Sequence, residues 1–190
     1  MKRIIALLWL FFMFFPVLSH AEIERTKGVY LGAGLEGMIH KEPLWTPLFM
    51  ELGIHIRPYL GYRFSNYFAL EASYDGFRHN SGSYDCYNFD LFDVAGKFFY
   101  PLSEHFDVYA RGGLVYERED VANDRRSWWM EPYHETHQRI APTVGAGLMY
   151  YFNPHWSSDL FYIYIPPMGR NIASANIFGF GVTYSFGKIQ

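Results

Sequence analysis

The sequence predicts an all-β protein: an eight-stranded antiparallel up-and-down transmembrane β-barrel, with short periplasmic turns and four longer extracellular loops. Composition supplies the first observation, since 21% of the residues are aromatic and 50% are hydrophobic. Periodicity supplies the second. After residue 21 the apolar residues alternate with polar or small ones and form no run long enough for a membrane-spanning helix. Alternation with a period of two gives a strand one apolar and one polar face, as the wall of a lipid-embedded barrel requires.

The clearest strand pair lies between Phe92 and Tyr116, in the segment FDVAGKFFYPLSEHFDVYARGGLVY. On one face of each strand the residues are apolar, aromatic or glycine, while the other face includes Lys97 and Arg111. A tight turn at residues 101–105 joins the two strands. The remaining segments repeat this arrangement, so the pair serves as a template for the whole chain.

Each further strand is predicted from its own alternating run and ends where turn-forming or polar residues begin. Pro58 removes one hydrogen-bond donor from the second strand, where we expect a local irregularity. The predicted strands are 28–38, 52–64, 67–74, 92–100, 106–116, 139–152, 156–165 and 175–186. The predicted short turns are 65–66, 101–105 and 153–155, and the predicted loops are 39–50, 76–86, 117–138 and 166–174. This alternation of short turns and long loops places both termini of the barrel on the periplasmic side.

The first 21 residues have the features of a secretory signal peptide. Lys2 and Arg3 precede an apolar stretch from Ile4 to Leu18, and Ser19-His20-Ala21 provides small residues at the cleavage positions. The competing interpretation, a membrane anchor, needs about 20 apolar residues. We therefore expect a signal peptide at 1–21 and a barrel domain at 22–190.

Charge and cysteine content narrow the function classes. The formal net charge of −3 becomes −5 when Lys2 and Arg3 are removed, and this acidity argues against a nucleic-acid partner. Cys86 is the single cysteine, so the chain has no intrachain disulfide.

Aromatic residues on the outward face concentrate near the ends of the predicted strands, as in the aromatic girdles of membrane barrels. Those expected beside the periplasmic turns are Tyr62, Phe64, Phe68, Phe98, Tyr100, Phe106, Tyr150, Phe152, Trp156, Tyr184 and Phe186. Those expected toward the loops are Tyr74, Phe89, Tyr116, Tyr162, Tyr164 and Phe178. A soluble lipocalin-like barrel would have the opposite preference, with apolar residues inside.

The chain resembles the eight-stranded transmembrane domain of OmpA-like outer-membrane proteins, with OmpX/Ail and opacity-type barrels as near relatives. The segments that carry the resemblance are FALEASYD (68–75), VAGKFFYP (94–101), FDVYARGGLVY (106–116), APTVGAGLMYYFNPHW (141–156) and FGFGVTYSFG (178–187). The resemblance implies a location in the bacterial outer membrane and insertion by the barrel-assembly machinery, which reads a terminal strand ending in Phe, here Phe186. The peptidoglycan-binding domain that often follows such a barrel is not expected here.

The resemblance also implies a gate in the lumen. Glu71 and Lys97 match an inward Glu and Lys that belong to this gate in the family. Asp159 stands where the family has an inward Arg, so we expect Arg57 or Arg111 to pair with Glu71 and a switching gate to be disfavoured.

The inward-facing positions carry six acidic and five basic residues, and this near balance predicts a paired charge network in the lumen. An eight-stranded barrel is just wide enough for side chains to fill its interior, so the network would act as a polar plug. A selective pore is the alternative. The candidate lumenal residues are Glu36, Arg57, Glu71, Asp93, Lys97, Arg111, Arg139 and Asp159.

The third loop supplies a candidate interaction site, because basic residues stand beside two tryptophans: Arg125, Arg126, Trp128 and Trp129. They could contact lipopolysaccharide, other outer-membrane lipid, a host surface or an extracellular ligand. The alternative is an ordinary long loop whose aromatic side chains fold onto the barrel rim. His134 and His137 are a weak metal-binding signal, and we predict no metal site and no cofactor.

Taken together, the sequence favours a monomeric, non-enzymatic outer-membrane barrel with a structural, membrane-stabilising or adhesin-like role and at most weak pore activity. One alternative is a lipid A-modifying enzyme, an acyltransferase or deacylase, for which the second loop offers His79, Ser81, Ser83 and Asp85. No recognisable motif orders these residues, so we predict no catalytic residues. A small selective porin is the other alternative.

Overall fold

The computed structural model describes residues 25–41, 55–81, 85–123, 133–167 and 174–187. They form one closed antiparallel barrel in which consecutive strands are neighbours and the last strand pairs with the first. The strands are β1 (Gly28–Lys41), β2 (His55–Arg63), β3 (Phe68–Ser81), β4 (Asp85–Pro101), β5 (Phe106–Asn123), β6 (Tyr133–Tyr151), β7 (Trp156–Ile165) and β8 (Ser174–Ser185). The predicted fold class is confirmed. The predicted signal peptide, at 1–21, lies outside the described residues.

Closure of the barrel depends on the ladder between β1 and β8, which runs from Tyr30 opposite Ser185 to Lys41 opposite Ser174. Because this ladder pairs the first strand with the last, the backbone donors and acceptors at the wall of the barrel are satisfied by neighbouring strands. Lipid offers no hydrogen bonds in their place. No helix among the described residues is long and apolar enough to cross a membrane.

The predicted alternation decides which side chains face outward. Ile56 and Leu160, on the apolar face of their strands, are 67% and 62% exposed, whereas the inward Val115 is 1% exposed. The outward face is therefore an apolar band around the barrel, and the inward face holds most of the charged side chains of the wall.

The three short turns mark one end of the barrel, here called the turn end, and outward aromatic side chains contact one another around it. The ring centroids of Phe68 and Phe98 are 5.0 Å apart, and those of Trp156 and Tyr184 are also 5.0 Å apart. Phe106 and Tyr150 are 4.8 Å apart. This ring of aromatics follows the predicted girdle beside the turns.

The opposite end, here called the loop end, differs from the prediction. Much of the predicted loops 76–86 and 117–138 is strand, because β3 continues to Ser81, β4 begins at Asp85, β5 continues to Asn123 and β6 begins at Tyr133. The prediction was wrong because it required an apolar face. Backbone pairing between strands does not need an apolar face, so these hairpins continue where the outward residues become polar.

A change in the outward residues shows where these hairpins leave the apolar band. Tyr74, Phe92, Tyr116 and Ile140 lie side by side in register across β3 to β6. Two residues further along, the same strands carry Gly76, Asp90, Arg118 and Gln138, again side by side. Beyond this polar row each strand continues for several residues, so at about 3.3 Å per residue the four-stranded sheet extends well beyond the band.

Candidate functional site

The inward side chains of the barrel form a charge network that can be followed from the loop end to the turn end. Its central member is Lys97 on β4, which is 4% exposed. Lys97 Nζ lies 2.5 Å from Glu71 Oε2 and 3.9 Å from Asp159 Oδ2. One ammonium group thus stands between two carboxylates that come from β3 and β7.

Tyrosines complete the hydrogen bonding of these two carboxylates. The Tyr30 hydroxyl donates to Glu71 Oε2 over 3.1 Å, and the Tyr109 hydroxyl donates to Asp159 Oδ2 over 2.6 Å. The Tyr109 ring also lies beside the lysine, with Lys97 Nζ 4.8 Å from its centroid. Lys97 is therefore enclosed by acceptors and aromatic faces, as a buried ammonium requires.

Nearer the loop end, two arginines, one from β2 and one from β5, meet at Asp93. Arg57 Nη2 is 3.4 Å from Asp93 Oδ2, and Arg111 is hydrogen-bonded to the same oxygen. Arg57 also donates to the Ser73 hydroxyl over 2.6 Å and has its Nε 3.6 Å from Asp75 Oδ2. All of these side chains are buried.

Glu36 lies on β1 and is 3% exposed, and its carboxyl group lies beside that of Asp75 without an ion pair among the described residues. Arg57 Nε and two nitrogens of Arg111 have no hydrogen-bond partner in the same part of the chain. Donors and acceptors that are left over together in a polar space are the usual setting for bridging water.

The last predicted lumenal residue, Arg139, pairs with Glu117 at the loop end. The Arg139 side chain donates from Nε and Nη2 to Glu117 Oε2 over 2.8 and 2.5 Å, and the two residues lie opposite each other in the β5–β6 ladder. This pair is slightly exposed. It is the charge pair of this network that lies nearest the solvent at the loop end.

At the turn end the network includes residues outside the predicted set. Asp107 is fully buried and lies 3.1 Å from Arg63, while the Tyr151 hydroxyl donates to it over 2.6 Å. Asp107 also binds Arg25, a residue that precedes β1. Arg63 and Asp107 lie on the inward faces of β2 and β5, so their position follows from alternation. No periodicity could identify Arg25, because it lies in no strand.

Apolar inward side chains of β7 and β8 also line the lumen toward the loop end, and the sequence analysis assigned them no role. Ile165 and Ala175 face each other across β7 and β8 next to the loop that joins these strands, and Ile163 and Ile177 lie one step deeper. All four are 3% exposed or less. A buried apolar layer therefore lies beside the charge network.

The structure places all eight predicted lumenal residues on the inward face and links seven of them in ion pairs. Glu36 is the exception. One expected pairing is wrong: Glu71 is bound by Lys97 and Tyr30, while Arg57 and Arg111 meet at Asp93. The register explains the difference, because Lys97 is opposite Ala69 and diagonal to Glu71 on the neighbouring strand.

The other candidates belong to the second and third predicted loops. Arg125, Arg126, Trp128 and Trp129 lie outside the described residues, as does Ser83. His79 and Ser81 lie in β3 and Asp85 lies in β4, in a regular ladder that sets Ser81 opposite Asp85. Within the described segments, no three His, Cys, Asp or Glu residues form a group that could hold a metal ion.

A closed eight-stranded barrel with an apolar outer band, an aromatic ring and a charged interior defines the class of bacterial outer-membrane barrels. The family model described as "Outer membrane protein beta-barrel domain" matches residues 7–186. The chain belongs to this family. It is a protein of the outer membrane of Gram-negative bacteria.

Relatives and solved structures agree with this assignment. Outer membrane protein A of Serratia marcescens is 27% identical over 147 residues, which cover 68% of this chain and 38% of that relative. Outer membrane protein A of Yersinia pseudotuberculosis is 27% identical over 171 residues, which cover 80% of this chain and 43% of that relative. The chain thus spans about two-fifths of the length of these relatives.

Two solved barrels show the likeness in fold. Neisserial surface protein A aligns with a TM-score of 0.67 at 17% identity, covering 86% of this chain and 100% of that one. The attachment invasion locus protein of Yersinia pestis aligns with a TM-score of 0.61 at 15% identity, covering 83% and 98%.

Proposed function

We propose that this protein is a non-enzymatic outer-membrane barrel with a closed lumen, whose role is structural and membrane-stabilising or lies in surface interaction of an adhesin-like kind. The single observation that carries the closed lumen is a succession of ion pairs along the lumen. It runs from the slightly exposed Arg139–Glu117 pair, through the buried pairs of Asp93 and Lys97, to the buried Asp107. The interior of an eight-stranded barrel is just wide enough for side chains. An ion that crossed it would have to displace several of these pairs.

The cost of displacement supports closure. Breaking a buried pair leaves a charge without a partner, which typically costs about 3–5 kcal/mol. The pairs come from β2 to β7, so no single side-chain rotation would clear a path. We therefore expect at most rare and small conductance steps.

The surface role is supported by the sheet that β3 to β6 extend beyond the apolar band. It presents polar outward residues, among them Asp90, Arg118 and Asp120, and Tyr74 donates a hydrogen bond to Asp90 over 2.6 Å. Loops are frequent binding sites when a rigid scaffold positions them. We propose that Arg125, Arg126, Trp128 and Trp129, which lie between β5 and β6 in the sequence, bind lipopolysaccharide or a host surface.

Conductance in a planar bilayer tests the closed lumen. We expect the purified barrel to show no steady single-channel openings at physiological salt, because the interior is filled by paired charges. Long-lived openings of uniform size in the wild-type protein would contradict the closed lumen and favour a selective pore.

Binding and lipid analysis test the surface role against the enzymatic alternative. Replacing Trp128 and Trp129 by alanine should weaken binding to lipopolysaccharide vesicles or host cells, whereas Tyr67→Ala, which removes an exposed aromatic side chain at the turn end, should leave it unchanged. Equal binding by all three proteins would refute the loop assignment.

Mass spectrometry of lipid A from a deletion strain should show an unaltered acyl pattern, and a changed pattern would favour an acyltransferase or deacylase.

A further inference from the structure

We infer that residues 25–27 form a strap that closes the periplasmic mouth of the lumen, a closure separate from the central Lys97 pairs. The inference rests on the proposed closed lumen and adds a second barrier to it. The strap lies at the turn end, which is the periplasmic end in this class of barrel.

Arg25 is the anchor of the strap. Its side chain is 5% exposed although it precedes the first strand. Its Nη2 is 2.7 Å from Asp107 Oδ1 and donates to the Ser103 carbonyl over 2.9 Å, and its Nη1 donates to the Glu104 carbonyl. The guanidinium lies over the Tyr151 ring, 3.9 Å from its centroid. An arginine held by a carboxylate, two carbonyls and an aromatic face is fixed in one position.

The strap touches all three periplasmic turns. The Arg25 backbone amide donates to the Asn66 side chain over 3.4 Å, at the β2–β3 turn. The carbonyls of Ser103 and Glu104 belong to the β4–β5 turn, and the Thr26 hydroxyl donates to the Pro154 carbonyl in the β6–β7 turn. Contacts with turns from different sides of the barrel require residues 25–27 to cross the mouth.

Arg25 is not needed to neutralise Asp107. Asp107 Oδ2 already accepts from Arg63, 3.1 Å away, and from the Tyr151 hydroxyl, 2.6 Å away. The loss of Arg25 would leave this carboxylate with a cation and a hydroxyl. An Arg25 variant should therefore keep a folded barrel and release the strap, which separates closure from stability.

Thiol accessibility tests the strap. Ser157 is buried, faces inward at the start of β7 and lies opposite Tyr151, the ring that Arg25 covers. In a Cys86→Ser background, Ser157→Cys provides a single thiol beneath the strap. Its modification by a small charged methanethiosulfonate is measured in the full barrel, whose folded state is checked by heat-dependent gel mobility.

We expect Arg25→Ala to accelerate the modification about tenfold, because access to a buried site follows the population of its open form. Thr26→Val, which keeps Arg25, should give a smaller increase, and Arg118→Ala on the distant hairpin should give none. Equal rates in all variants, or an equal increase with Arg118→Ala, would overturn the strap. Steady conductance of the wild-type barrel would instead refute the proposed function, so the two failures are distinguishable.

Discussion

At the scale of single residues, Lys97 shows how this lumen differs from a simple chain of pairs. The ammonium group stands 2.5 Å from Glu71 and 3.9 Å from Asp159, on β3 and β7. The sequence suggested that Asp159, in place of an arginine, would disfavour exchange of partners. In the structure Lys97 has two carboxylates as neighbours, one on β3 and one on β7.

Removing the ammonium group should be costly. For Lys97→Met we expect the free energy of unfolding to fall by about 3–5 kcal/mol, because Glu71 and Asp159 are left buried without a cation. Urea unfolding in detergent or lipid vesicles, followed by tryptophan fluorescence, measures this loss.

The double variant Lys97→Met with Glu71→Gln serves as the control, because it removes one of the two orphaned charges. It should recover part of the lost stability. A double variant less stable than Lys97→Met alone would contradict the pairing.

At the scale of elements, the inward glycines determine how large side chains fit between neighbouring strands. Gly147 on β6 lies opposite Tyr109 on β5, and a Cβ atom at this glycine would overlap the Tyr109 ring and approach the Leu160 carbonyl to 2.6 Å. The bare backbone at Gly147 thus lets Tyr109 lie flat and reach Asp159. Gly147 and Tyr109 therefore pack as a pair across two neighbouring strands, with the tyrosine ring over the glycine backbone.

We predict that Gly147→Val lowers the free energy of unfolding by about 1–3 kcal/mol, as expected for overpacking of a filled interior. The displaced Tyr109 should also lose its hydrogen bond to Asp159. Urea unfolding measures the change.

Gly37→Val on β1 is the matched control, since a Cβ atom there has nothing within 4 Å. It should leave stability nearly unchanged. Similar losses at both glycines would mean that valine is harmful for reasons other than contact with Tyr109.

At the scale of the whole molecule, the apolar band defines the depth at which the barrel lies in the membrane. Leu160, in the middle of β7, is 62% exposed, and Ile140, in the row next to polar Gln138, is 63% exposed. The two side chains are equally exposed in the isolated chain, but their surroundings in lipid differ. Leu160 lies near the centre of the apolar band, and Ile140 lies at its margin.

An arginine scan of the band should reveal this difference. We expect Leu160→Arg to destabilise the barrel in lipid vesicles by about 2–4 kcal/mol and Ile140→Arg by about 0–1 kcal/mol, following the depth dependence of lipid-facing charges. Equal costs at the two positions, measured by urea unfolding in the same vesicles, would contradict the membrane placement.

The sequence by itself determined the barrel wall: its eight strands, the direction in which their residues face, the three short turns and the aromatic ring beside them. These features follow from period-two alternation, which is a local property of each strand. The same alternation placed Glu71, Lys97 and Asp159 in the lumen. It also made β3 to β6 too short, because beyond Tyr74 and Ile140 the outward residues become polar while the backbone pairing continues.

Only the tertiary structure decided which lumenal residues meet. The partners of Lys97 and Asp93 come from strands on different sides of the barrel, and their relative heights depend on the ladder register and on closure between β1 and β8. Arg25 is the clearest case, since its role depends on three turns that are distant in sequence and adjacent in space. Alternation is a property of each strand, so the wall of the barrel can be predicted from the sequence. The contacts in the lumen form only when the barrel closes, so the charge network cannot be predicted in the same way.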